Sequence, residues 1–468
     1  MNRHDETTDR RLPVARGTNR LRSCFALSVC ASLGATGALT AMGMQGRPAK
    51  LSVADELPSF ERIEQLRPKV PDEQNSALLF LDLVGALEEV KEQAEGKALF
   101  GFRYMKFSDG VERSCVEPSR AFRKAHAALL KRLEAVRDKP RGRFEYQWGV
   151  PPFDIDLASS DAFRTGIRLL EMDAVLEIID GHLESAVDRA YLLWRWGAMF
   201  DGDPFYLNGL RRMSADSVGL RVVLNTLTVG ELKDTTLAKI MKQLDDLARA
   251  NRMKPGLRSE CANLLYVIDK VGSGEMSLFD VVWGDFEKKG TPMPPAFRVG
   301  NRRAVWSLFK PMIDAADDPF ELINATQRAE QAREKLSKWL YMVPKVLMPS
   351  FARGAVIHAR LIAVIHATRI AVAAERYRLA NGAWPKSLQV LVPKYLDKVP
   401  VDPFDRKPMR YKITERGLLI YSVYENKKDD GGVFWDKDRK PRKPDVGIEV
   451  PQPRQRGLKW VDENAKGQ

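Results

Sequence analysis

Histidine and cysteine are scarce in this chain, with five and four residues among 468. Two cysteines, Cys24 and Cys30, share one short N-terminal stretch, which leaves only Cys115 and Cys261 for the body of the protein. A disulfide framework or a cysteine-built zinc site is thereby excluded. Cys115 and Cys261 read either as a pair in an exported protein or as free buried thiols. The chain also lacks Gly-x-x-x-x-Gly-Lys, His-Glu-x-x-His, a Cys-x-x-Cys pair and Gly-x-Ser-x-Gly, so those phosphate-loop, zincin, redox and nucleophile-elbow signatures are missing. His358 and His366 lie two helical turns apart, too far to share a metal without a third ligand, and read as structural. A concentrated basic stripe with interleaved aromatics is missing as well. The formal net charge of +13 is spread along the chain, so no nucleic-acid partner is expected.

What is present describes a globular protein of two or three domains: 44% hydrophobic and 29% charged residues in a chain long enough for a full core. Arg10, Arg11, Arg16, Arg20 and Arg22 precede an uncharged run over 23–45, and Arg47 and Lys50 follow it. A basic flank before such a run is the design of an export signal or a single membrane anchor. Gly34, Gly37 and Gly43 argue against a buried core helix here. Residues 1–50 are therefore expected to target the chain to the cell envelope. The bulk would lie in the periplasm, anchored if the segment is retained and released if it is cleaved.

Residues 51–345 read as an α-helical domain, a bundle or an irregular α-solenoid. Apolar residues recur at helical spacing over 77–90, 119–137, 162–180, 182–199, 207–229, 232–250, 259–271 and 325–340. Paired helices of this length resemble tetratricopeptide-type arrays in shape only, without a repeat consensus. A loop over 140–152 carries Phe144, Tyr146 and Trp148. With Asp154 and Asp156 it is the first candidate for a hydrolase site in a helical groove. Trp194, Trp196, Trp283 and Trp306 read as groove-lining or core residues. The adjacent carboxylates Asp245-Asp246 and Asp317-Asp318 read as solvated faces, because neighbouring helical side chains diverge.

Residues 346–450 read as a small α+β module. A long apolar helix over 356–379 ends at Asn381-Gly382, where Gly tolerates positive φ. Trp384-Pro385 follows, and Ser387 is placed to cap a short helix to Leu391. Pro393, Pro400, Pro403 and Pro408 make 394–407 an irregular loop. Runs over 409–413 and 418–424 form a hairpin, and 445–450 supplies a closing strand. Beyond Pro451 the chain, at 451–468, reads as disordered.

The order Asn381-Gly382, Trp384-Pro385, Val399-Pro400, Asp402-Pro403, Tyr411, Tyr421-Ser422 and Asp430-Gly431-Gly432 resembles the C-terminal half of the major pseudopilin of type II secretion systems. The resemblance implies a helix laid on a short antiparallel sheet, envelope or secretion-assembly partners, and a calcium-binding loop. Its ligands here would be Asn426, Asp429 and Asp430. The same loop reads also as a solvated turn. Asp405, Tyr424 and Lys427 stand where the family carries Gly, and Asn426 where it carries Asp. The pseudopilin leader and its Phe-Thr-Leu-Ile-Glu opening do not precede this helix, so the expectation is a module within a larger chain. The opening Pro-Asp-Glu-x-Asn-(Ser/Ala)-Ala pattern at Pro71 to Ala77, with the helical middle and this tail, also resembles a set of large bacterial envelope proteins, which implies no activity. The functional expectation is a non-enzymatic structural or assembly role, with a periplasmic hydrolase or a calcium-stabilised binding module as alternatives.

Overall fold

The computed structural model describes residues 57–93, 107–148, 155, 157–282, 287–434 and 444–461. The targeting segment expected at 1–50, Asp154, Asp156 and Trp283 lie outside the described residues. The chain is mainly helical, with short strands in small sheets.

In the first half run α1 (Phe60–Leu66), α2 (Ser76–Gln93), the two-residue strand β1 (Val111–Glu112), α3 (Val116–Ala125) and α4 (Ala127–Glu134). After them come α5 (Ser160–Ile179), α6 (Leu183–Ala198), α7 (Tyr206–Val229), α8 (Asp234–Arg249) and α9 (Lys254–Ser273). Ends follow local chemistry. Ser159 caps α5 by accepting from Ala162 N at 3.2 Å, and Gly274 stops α9 with φ 78°. The single helix expected over 119–137 is instead α3 and α4, broken at His126, whose φ and ψ leave the helical region. The break lets α3 pack on α5 while Leu129, Leu130 and Leu133 of α4 turn inward.

The second half holds α10 (Leu278–Val282), α11 (Pro295–Ala315), α12 (Pro319–Lys335), α13 (Met342–Leu347) and α14 (Ala352–Asn381). The sequence pattern does not single out α11, because Gly300 and Pro311 punctuate it. Val305, Leu308, Phe309, Met312 and Ile313 nevertheless form one buried stripe, and their burial outweighs the backbone bond lost at Pro311. Asp318 caps α12, accepting from Phe320 N and Glu321 N, with Pro319 in the first turn.

Helix α14 is the long apolar rod expected from the sequence, ending at Gly382 with φ 80°. Ala355, Ala359, Ala363, Ala367 and Ala371 are fully buried at intervals of four, a ridge of small side chains that lets neighbouring helices approach closely. Alone among the described helices it has the length and apolar composition to cross a membrane, yet most of that stretch is buried in protein. It packs against α7, α8 and α12, and also against the sheet. A helix contacting partners so remote in sequence ties the helical part to the sheet. Buried apolar residues form one continuous cluster from Ala77 to Val450, running through position 345 where the sequence suggests a boundary.

Three antiparallel strands complete the C-terminal region: β2 (Arg410–Ile413), β3 (Gly417–Ser422) and β4 (Val446–Pro451), with β3 central. Tyr421 pairs with Arg410, and Ser422 with Val446. Ser387 makes no side-chain cap, and Leu388–Leu391 is a 3₁₀ turn, not an α-helix. The disorder expected beyond Pro451 is corrected as far as Val461. Here β5 (Trp460–Val461) pairs in parallel with β1, and Arg456 is buried against Glu375 of α14.

Candidate functional site

The loops flanking the three-stranded sheet collect the densest set of interacting carboxylates in the C-terminal region. Asp402 is fully buried. Its Oδ1 accepts from Phe404 N at 2.9 Å and Ser422 Oγ at 2.7 Å. Its Oδ2 accepts from Val423 N at 2.9 Å and Arg410 Nη1 at 2.7 Å. Four donors on one buried carboxylate tie the proline-rich loop to the end of β3. Arg410 also makes a two-pronged pair with Asp405, and its Nε lies 4.0 Å from Asp429 Oδ2. Burial pushes the Asp405 carboxyl pKa up, but the hydrogen bonds from Arg410 and Lys407 N together with the Arg410 and Lys407 charges more than reverse this, leaving it below the usual range.

The three ligands expected from the sequence take different partners. Asn426 Nδ2 donates to Asp430 Oδ2 at 2.7 Å, while Asn426 Oδ1 accepts from Lys428 N at 2.9 Å. Asp429 Oδ1 accepts from Tyr421 OH and from Gly431 N, both at 2.9 Å. Asn426 and Asp430 are thus brought together, and Asp429 is turned to the sheet. Sequence reasoning places Asp445 only at the start of a strand. Its Oδ2 accepts from Asp430 N at 3.1 Å and Gly432 N at 2.8 Å, closing the loop onto β4. Its Oδ1 is buried without a hydrogen-bond partner. Burial raises the Asp445 pKa, and the Asp430 and Asp429 charges add to the rise. The signal in the sequence is a lone acid between Pro444 and an alternating apolar strand.

Tyr424 and Lys427 have φ of 52° and 55°, in the left-handed region that disfavours ordinary side chains. Arg406, next to Asp405, has φ 62°. Among the described residues, no three His, Cys, Asp or Glu side chains form a metal-holding group. The loop as folded is held by its own hydrogen bonds.

Elsewhere in the described residues, the aromatic loop, the tryptophans, the carboxylate pairs, the thiols and the histidines make structural contacts. Tyr146 OH donates to Asp203 Oδ2 at 2.6 Å, and Asn208 Nδ2 donates to Asp203 Oδ1 at 2.8 Å, so the described part of the aromatic loop is clamped to the start of α7. Trp194 and Trp196 are core, their indole N–H groups donating to Asp216 O and Phe163 O; Trp306 is half-buried. Asp245 pairs with Arg369 at 2.6 Å, Asp246 with Arg249 at 2.7 Å and Asp317 with Lys254 at 2.5 Å. Cys115 and Cys261 are not joined in a disulfide, and the Cys115 thiol donates to Glu112 Oε2 at 3.9 Å. His366 Nδ1 donates to Val401 O at 2.9 Å, whereas His358 is buried with neither ring nitrogen hydrogen-bonded. Comparison with protein-family models, with curated proteins and with solved structures finds no match to this chain.

Proposed function

We propose that this chain is a non-enzymatic cell-envelope protein, exported or anchored through residues 23–45, with a structural or assembly role. In this reading 346–450 act as a pseudopilin-like module that docks to a partner of secretion-type machinery. The observation that supports it is a coincidence of pattern and backbone. Tyr424 and Lys427 stand where the pseudopilin pattern carries Gly, and both adopt the left-handed conformation that Gly takes freely. A loop retaining a glycine's backbone after losing the glycine is what descent from that pattern would leave. The helix laid against a short antiparallel sheet is consistent with the same origin.

The test is fractionation of cells expressing the full chain, followed by affinity capture from solubilised membranes. The expected result is a membrane-associated protein with a reproducible envelope partner, lost when Asp445→Ala loosens the loop. A chain found only in the cytosol, or one that captures no partner, would overturn the reading.

A second reading, calcium binding by the 422–432 loop, is favoured by one observation. Asp445 Oδ1 is buried and unpartnered beside Asp429 and Asp430, where a cation would relieve the crowding of negative charge. Asn426, Asp429, Asp430 and Asp445 would be its ligands.

A further inference from the structure

Among the described residues, one buried arginine has no carboxylate to pair with. Arg67, Arg211, Arg212 and Arg252 are all buried. Arg67 pairs with Glu64, Arg212 with Asp201 and Asp216, and Arg252 with Asp216. Arg211, on α7, is only 8% exposed, and its hydrogen bonds go to neutral oxygens. Nη1 donates to Asn208 Oδ1 at 2.6 Å and Nη2 to Ser160 Oγ. Nε is buried without a hydrogen-bond partner. The guanidinium carbon lies 5.6 Å from the centre of the Phe200 ring.

Burial lowers the Arg211 pKa to about 10, which leaves the group charged at neutral pH. Asp203 counters that charge only through space, because its oxygens accept from Tyr146 OH, Asn208 Nδ2 and Phe205 N. Asn208 links the two, its Nδ2 on Asp203 and its Oδ1 holding Arg211, so the guanidinium is fixed in place. A buried cation with an open N–H and neutral partners is costly to the fold alone, and suited to an anion supplied from outside.

The surroundings favour the same sign of ligand. Ser160 is the first residue of α5, a helix of 20 residues, so its bond to Nη2 sets the guanidinium at the positive end of the helix dipole. Arg164 stands one turn further on, and its charge acts on Arg211. The acids beside this turn are engaged: Asp161 by Lys91 at 2.8 Å and by Arg164 at 3.7 Å, and Glu88 by Ser159 Oγ at 2.7 Å. Ser160 is half-buried and Arg164 exposed, which gives a ligand its approach from solvent.

We infer that Arg211, Ser160 and the first turn of α5 bind the oxyanion group of a small molecule, a phosphate or a carboxylate. The site belongs to the helical part and does not depend on the envelope reading above. Isothermal titration calorimetry of the full chain in constant sodium chloride tests it, with inorganic phosphate in one arm and acetate in the other. Saturable binding at one site per chain is the expected result. Binding of phosphate alone assigns a phosphate ligand, and acetate binding at least as tightly assigns a carboxylate. Arg211→Met keeps most of the side-chain bulk but none of the donors, so it should abolish binding. Should its melting curve show it unfolded, Ser160→Ala and Arg164→Gln, at half-buried and exposed positions, should each weaken binding several-fold. Binding that does not saturate, or that persists unchanged in Arg211→Met, would assign the interaction to the net charge of +13 and overturn the inference. So would no binding in either arm, or wild-type affinity in both Ser160→Ala and Arg164→Gln.

Discussion

Arg456 donates from Nη2 to Glu375 Oε1 at 2.6 Å, joining the end of the chain to α14 across 81 residues of sequence. Trp384 Nε1 donates to the same oxygen at 2.7 Å, and Arg378 contacts Oε2. Both members of the long-range pair are almost wholly buried. Without Arg456 the buried Glu375 carboxylate keeps only the Arg378 guanidinium against its charge.

Arg456→Ala should therefore cost about 3 kcal/mol of stability in urea unfolding. The double variant Arg456→Ala/Glu375→Gln should lose clearly less than the sum of the two singles. Strict additivity would mean that the pair does not act as a unit. Burial raises the Glu375 pKa, and the Arg456 and Arg378 bonds lower it further than burial lifts it, leaving it below 4.5. Its stabilisation is thus present above the unfolded-state value and fades as pH falls through the folded one.

His358 carries the opposite kind of sensitivity. Burial, with the Arg252 charge added, lowers its pKa from 6.5 to about 3. The unfolded chain takes up a proton near pH 6.5 and the native chain only near 3. Stability is complete above 6.5 and declines as pH drops, by up to about 1.4 kcal/mol per unit. His358→Leu should flatten that part of the pH profile, measured as melting temperature between about pH 4 and 7. An unchanged slope would assign the acid sensitivity to other groups.

The left-handed residue Lys427 offers a backbone test. Lys427→Gly should raise stability by up to about 1 kcal/mol by relieving the positive φ. Lys427→Val should lower it, because a branched side chain suits that region worst. Equal effects from the two substitutions would contradict the strain.

Glycines on two helices should respond with opposite signs. A Cβ on Gly85 of α2 meets nothing within 4 Å, so Gly85→Ala should stabilise by ~0.5–1 kcal/mol through helix propensity. A Cβ on Gly209 of α7 would lie 2.3 Å from the Arg252 carbonyl oxygen, whose own guanidinium holds the buried Asp216 at 2.7 Å. Gly209→Ala should destabilise by about 1–3 kcal/mol despite the same propensity gain. Denaturant midpoints of the two variants settle the comparison.

If the 422–432 loop takes calcium, a millimolar concentration of the ion should raise Tm by a few degrees by mass action, with EDTA reversing the shift. Asp445→Asn should abolish the response. An unchanged Tm would leave the loop as a hydrogen-bonded turn.

Sequence alone determined the local elements whose cause is local. Apolar periodicity marked most of the helices, Gly382 ended α14, and the runs around Thr414–Gly417 formed a hairpin with β4 alongside. These depend on spacing, φ preference and side-chain alternation within a few residues. Tertiary packing decided the rest. It kept α11 continuous through Pro311, split α3 from α4 at His126, and set α14 against both bundle and sheet. It ordered the tail through Arg456 and made Asp445 the closure of the carboxylate loop. Each of those outcomes turns on a partner brought in from far along the chain. Burial and charge pairing at that range depend on which surfaces meet, and no window of sequence contains that information.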